Sequence, residues 1–190
     1  MDKAQSHGSQ SDYQSEVADE MMLLGSAILM AQKLEFALYG MASHLKATDP
    51  RFRGLTAEEL LRGDGTITKA TLGAIAQAYG SKFQLDGDEL AQLVKDRNLI
   101  AHDYWRLTKA NVNGGRSLEN PKQFLLNFFE RCNTWIRLCE GWITLAKYAT
   151  AEQSDRLDEV NESPESLSKM LEYLIHTLNR TVYEDAENGG

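Results

Sequence analysis

Only two of the 190 residues are cysteine. Cys132 and Cys139 stand seven apart on one expected helix, two turns and roughly 10 Å from each other, too far for a mutual disulfide. Both read as small core residues of a reducing compartment, which makes the cytoplasm the expected location. Neither has a neighbouring histidine or a second pair beside it, so no metal-ligand spacing exists and no metal or other cofactor is expected. No apolar run approaches the length of a membrane span, and the first residues lack the charged-then-apolar layout of a signal peptide, so no membrane partner is expected. Gly-rich phosphate loops, a Ser-His-Asp arrangement, internal repeats, low-complexity tracts and strand-like alternation are missing as well. Positive charge is also short. The net charge of −8 argues against a general nucleic-acid coat protein.

What remains is an ordinary soluble composition, 42% apolar and 25% charged, in a chain of a length that suits one domain with its own core. Residues 1–12 read as a polar, disordered lead-in, 13–150 as a helical bundle, and 151–190 as an acidic tail with one helix. From Glu16 to Lys46 two seams run side by side at helical spacing. One is Met21, Leu24, Ile28, Ala31, Leu38, Ala42 and Leu45; the other is Leu23, Ala27, Met30, Leu34, Ala37 and Met41. Glu35 occupies a seam position where a leucine would be expected, and a carboxylate there needs a partner. Short helices follow from Thr56 to Gly63 and from Thr68 to Tyr79, and Asp86-Gly87-Asp88-Glu89 caps the next. Asn113-Gly114-Gly115 marks a turn. Asn120-Pro121-Lys122-Gln123 opens an aromatic-rich helix reaching Ala149, and Ser163-Pro164 opens a last one with the stripe Leu167, Met170, Leu171, Leu174 and Leu178. The fold class is all-α, an up-and-down bundle of four to five helices with a C-terminal helical extension.

One stretch carries chemistry: Arg97-Asn98-Leu99-Ile100-Ala101-His102-Asp103-Tyr104, at the last turns of an amphipathic helix. Arginine holds phosphates through a forked set of donors, and histidine exchanges protons near neutral pH. The apolar stripe of this helix is Leu90, Leu93, Val94, Ala101 and Tyr104, and Arg97 falls within it, so its stem is buried and its head must find an anion. Arg97 and Tyr104, seven apart, share a face. His102 lies about 140° from Arg97 on an ideal helix, so the two heads meet only through the length of the arginine or a loosened helix near Asp103. Asn98, one turn before His102, is placed to hydrogen-bond its ring. From Lys95 to Arg137 eight basic residues face four acids, which puts the motif in the chain's one basic block.

The pattern Arg-x4-His with a polar residue after the arginine resembles the signature of the HEPN domain superfamily, and with Tyr104 it is closest to the HepT-type toxin form Arg-x4-His-x-Tyr. The resemblance implies a helical bundle that dimerises so that two motifs line one cleft, with many members acting as metal-independent endoribonucleases. It implies Arg97 and His102 as catalytic and Asn98 as supporting, with Glu35 a further supporting candidate from its seam position. Tyr104 would match the tyrosine that a cognate nucleotidyltransferase modifies with AMP to silence such toxins. The expected activity is attack of a ribose 2′-OH on the adjacent phosphate of RNA to leave a 2′,3′-cyclic phosphate, in a toxin or defence effector. Expected partners are an RNA substrate, a second copy of the chain, and a nucleotidyltransferase or other antitoxin.

Two other readings stay open. In one, Arg97 pairs with Glu35 to brace the bundle and the protein is a non-catalytic dimerisation or regulatory module. In the other, the Arg97/His102 pocket senses a nucleotide or small anion without turnover.

Overall fold

The computed structural model describes residues 6–44, 87–108 and 118–188. The helices expected from Thr56 to Gly63 and from Thr68 to Tyr79, and the turn at Asn113-Gly114-Gly115, lie outside the described residues.

Helix α1 (Ser6–His44) is the longest element. It starts inside the stretch expected to be disordered: a nucleated helix extends at little cost per residue, so a polar lead-in can continue it. The seam Ala27, Met30, Leu34, Ala37 and Met41 goes into the core, joined by Leu38 and Tyr39. The neighbouring seam does so only in part, since Met21 and Ile28 are exposed. Gln14–Ala42 is, by length and composition, apolar enough to cross a membrane, which corrects the expectation that no run approaches that length. Lys33 and Glu35 interrupt the run without lowering its average much. In this fold the helix is a core element, and its most extensive packing is on α4 (Pro121–Gln153).

Helix α2 (Gly87–Asn98) has Asp88 and Glu89 in its first turn and Lys95 and Arg97 in its last, matching the helix dipole at both ends. A π-helical turn (Leu99–Asp103) follows, then the short α3 (Tyr104–Thr108). Leu90, Leu93, Ile100 and Tyr104 are buried; Ala101, expected on the stripe, is exposed and Ile100 takes its place. Glu20 of α1 meets Tyr104 while Glu35 meets Arg97, so α1 runs antiparallel to α2 and α3.

The start of α4 forms as its sequence dictates. Asn120 accepts from the Gln123 backbone N–H at 3.2 Å and Pro121 takes the first helical position, where its missing N–H costs nothing. Leu125, Phe128, Cys132, Trp135 and Cys139 fill the core, and burial pushes the Cys132 thiol up to about 12. At the other end Asp155 adopts the left-handed conformation (φ 54°), while Asp155 N–H donates to Glu152 O and Arg156 N–H to Ala151 O. That pair of bonds is the Schellman closure.

After a 3-10 turn (Leu157–Glu159), α5 (Pro164–Asn188) is capped by Ser163, whose Oγ accepts from Ser166 N–H. It docks antiparallel on α4 through Lys147–Glu162, Lys169–Glu140 and Arg137–Glu172. Gly141 makes the approach possible, because a Cβ there would overlap the Lys169 carbonyl. Among the described side chains of α5 Tyr173 is buried, Met170 and Leu174 of the expected stripe are half-buried, and Leu167, Leu171 and Leu178 are exposed. Among the described residues no strand occurs, and four main helices account for the architecture: α1, the α2–α3 rod, α4 and α5. The all-α expectation holds.

Candidate functional site

The motif spans the change from α-helix to π-helix. In a π turn each N–H reaches back five residues instead of four, so the helix is wider and each residue turns less about its axis. Arg97 and His102 are five apart and the turn occupies Leu99–Asp103. This is the loosening that an ideal helix would have needed to reduce their 140° separation. The expected Asn98–His102 hydrogen bond does not form; Asn98 Oδ1 instead accepts from Arg97 Nη1 at 3.1 Å. Asn98 therefore orients the arginine, not the imidazole.

Arg97 is neither buried nor free. Its side chain keeps 36% of its surface in solvent, and Nη2 stands 3.8 Å from Glu35 Oε2, at the edge of ion-pair range. Glu35 is buried and depends more closely on Tyr39, whose hydroxyl donates to Oε1 at 2.8 Å. Burial, and then the Glu35 hydrogen bond and charge, push the Tyr39 phenol above its ordinary 10, with Arg97 opposing. The sequence reading that Glu35 and Arg97 face each other is thus met by geometry, though at a loose distance.

Tyr104 is 6% exposed, and its hydroxyl donates to Glu20 Oε1 at 3.0 Å. Burial first, then that bond, raises its phenol above 10. Its oxygen is engaged as the structure stands, and any modification of it requires the Glu20 contact to open. His102 is exposed and borders a cavity of about 330 Å³ between the N-terminal half of α1 and the π turn. Met21, Leu24, Ile28 and Ile100 form its apolar lining, Glu20 and Tyr104 its polar part, and Trp105 its open side. Arg97 does not line it. A larger cavity, about 780 Å³, lies between α1, α4 and the start of α5, away from the motif. Its Arg137 and Lys169 are engaged by Glu172, Glu140 and Glu165.

Two features were not legible in the sequence. Asp96, next to Arg97, is buried and forms the tightest contact around the motif, 2.6 Å to Arg131 Nη1, with Gln92 donating to its other oxygen at 2.7 Å. Its partner is 35 residues away, so no local pattern announces it. The basic block is likewise changed by folding. Arg97, Arg106, Arg131 and Arg137 all stand within ion-pair distance of acids, while Lys109 and Arg116 lie outside the described residues. Among the described residues no three His, Cys, Asp or Glu side chains converge as a metal site. No family model, curated protein or solved structure matches this chain.

Proposed function

We propose that this chain is a HEPN-like, metal-independent endoribonuclease, acting as a toxin or defence effector and working as a homodimer. The observation that carries the reading is the π turn. It contains His102, which is exposed, and begins two residues after an Arg97 tied to its carboxylate only at 3.8 Å.

The reaction joins the ribose 2′-oxygen to phosphorus, breaks the bond from phosphorus to the 5′-oxygen, and leaves a 2′,3′-cyclic phosphate and a 5′-hydroxyl. The 2′ proton must go to a base and the departing 5′-oxygen must receive a proton. His102 supplies one of these transfers, and His102 of a second copy or a water supplies the other. Arg97, steered by Asn98, meets the charge that grows on the phosphoryl oxygens. Its contact with Glu35 is loose enough for a phosphate to displace it. Modification of Tyr104 with AMP by a nucleotidyltransferase partner would require the Tyr104–Glu20 contact to open and would place an anionic group on the cavity that His102 borders.

Purified protein incubated with total RNA is expected to give fragments ending in 2′,3′-cyclic phosphate, and His102→Ala is expected to give none. Equal fragmentation by both proteins, or none by wild type, would remove the reading. A second reading, a non-catalytic dimerisation module, draws on the exposed apolar side chains of α1 (Met22, Leu29, Phe36) and α5 (Leu171, Ile175, Leu178). It predicts a stable oligomer whose assembly is indifferent to Arg97→Ala and His102→Ala.

A further inference from the structure

The cavity beside His102 has features that the cleavage chemistry does not use. It is mostly apolar, yet a carboxylate and a phenol meet inside it, and its open side is an indole 66% exposed to solvent. Trp105 is three residues beyond the end of the Arg-x4-His spacing, so the exposed ring is tied to the same backbone that places the imidazole. An exposed tryptophan is costly to leave in water unless something covers it, and flat π faces are what unpaired bases stack on. The volume, about 330 Å³, is at the small end of ligand sites and fits one planar ring system. At the inner wall Glu20 offers carboxylate acceptors, with Oε1 oriented by the Tyr104 hydroxyl.

We propose that this cavity is a base-recognition site. It takes one unpaired nucleobase of a single-stranded RNA, stacked on Trp105 over the Leu24–Ile28–Ile100 floor, with Glu20 accepting from an exocyclic amino group. The site thereby selects single-stranded over paired substrate, because a base in a duplex cannot leave its stack to enter. It favours adenine, cytosine or guanine over uracil, which lacks an amino group. The proposal rests on the nuclease reading and names the substrate class for it.

The test uses eight-residue 2′-O-methyl oligonucleotides, which cannot be cleaved, made of adenylate, cytidylate or uridylate. They are titrated against the full chain by calorimetry, which gives the affinity of every variant, while tryptophan emission is followed in wild type. Trp135 is buried and Trp142 half-buried, so quenching by stacking reports Trp105. Expected are quenching by wild type, affinity weakened about tenfold in Trp105→Ala, and affinity kept in Trp105→Tyr. Adenylate and cytidylate should bind more tightly than uridylate, and Glu20→Gln should narrow that preference. Unchanged affinity in Trp105→Ala overturns the proposal. So does a Trp105→Ala protein that loses self-association by sedimentation while its oligonucleotide affinity stays that of wild type, which would assign the cavity to a second copy of the chain. The two readings fail separately: cleavage that persists with wild-type affinity in Trp105→Ala sinks the base site alone, whereas quenching without any cleavage by wild type sinks the nuclease alone.

Discussion

Asp96 and Arg97 are neighbours in sequence, and the two faces they serve are built on different terms. Asp96 turns toward α4, is buried, and meets Arg131 at 2.6 Å with Gln92 on its second oxygen. Arg97 turns toward α1, keeps a third of its surface in water and meets Glu35 at 3.8 Å. The first contact fixes α2 to the bundle just before the π turn. The second holds a guanidinium near a carboxylate without saturating it. The difference teaches where the motif's rigidity comes from: the clamp is on one face, so the other face is free to exchange its anion. The two pairs are about equally exposed and differ in contact length; a short charge-assisted hydrogen bond costs more to break than a contact at the edge of ion-pair range, and that contrast can be measured.

The largest expected effect is that of Asp96→Ala. It removes the acceptor of both the Arg131 and the Gln92 hydrogen bonds and leaves the partly solvated Arg131 with Glu89 at 3.8 Å, and should lower unfolding stability by about 3 kcal/mol in urea titrations. If that substitution proved as mild as Arg97→Ala, the two faces would not differ.

Next comes Tyr104→Phe, which removes a hydrogen bond to the buried Glu20 carboxylate and should cost about 2 kcal/mol at neutral pH. Its pH dependence has a defined sign. The folded state holds the Tyr104 and Tyr39 protons more tightly than the unfolded chain does. Their contribution is therefore fully present below the ordinary tyrosine value of 10 and is lost as pH rises above it. Wild type should lose stability above pH 10 more steeply than Tyr104→Phe, followed by urea midpoints at pH 9 and 11.

Arg97→Ala ranks third. Because Glu35 keeps the Tyr39 hydrogen bond and Arg97 is partly solvated, the cost in the same titration should be about 1 kcal/mol or less. A loss matching that of Asp96→Ala would make Arg97 a brace for Glu35 and favour the module reading. The smallest effect on stability is that of His102→Ala, within about 0.5 kcal/mol, since an exposed side chain on the rim of a cavity holds nothing together.

Much of this was legible in the sequence where the signal was local. The Asn120 cap with Pro121, the opening of α5 at Ser163-Pro164, the buried seam from Ala27 to Met41 and the two core cysteines follow from spacing and capping rules, which act over a few residues. The pairing of Glu35 with Arg97 was reached from two charges on apolar stripes that each needed a partner. What escaped was geometry set by remote contacts. The π turn has no residue signature of its own, and Asn98, assigned to His102, serves Arg97. Asp96 counted only as one acid in a basic block, because Arg131 is 35 residues away. The stripe of α5 divides for a related reason: Gly141 lets the helix lie so close to α4 that Tyr173 is buried and Met170 and Leu174 half-buried, while Leu167, Leu171 and Leu178 stay outside.

Arg97 is proposed to be held for a phosphate, and Asp96 for the fold. The rate of RNA cleavage by Arg97→Ala, assayed at a temperature where the variant is folded, tests it most directly. The account predicts loss of the 2′,3′-cyclic phosphate products that wild type makes under the same conditions. Cleavage at the wild-type rate would contradict it.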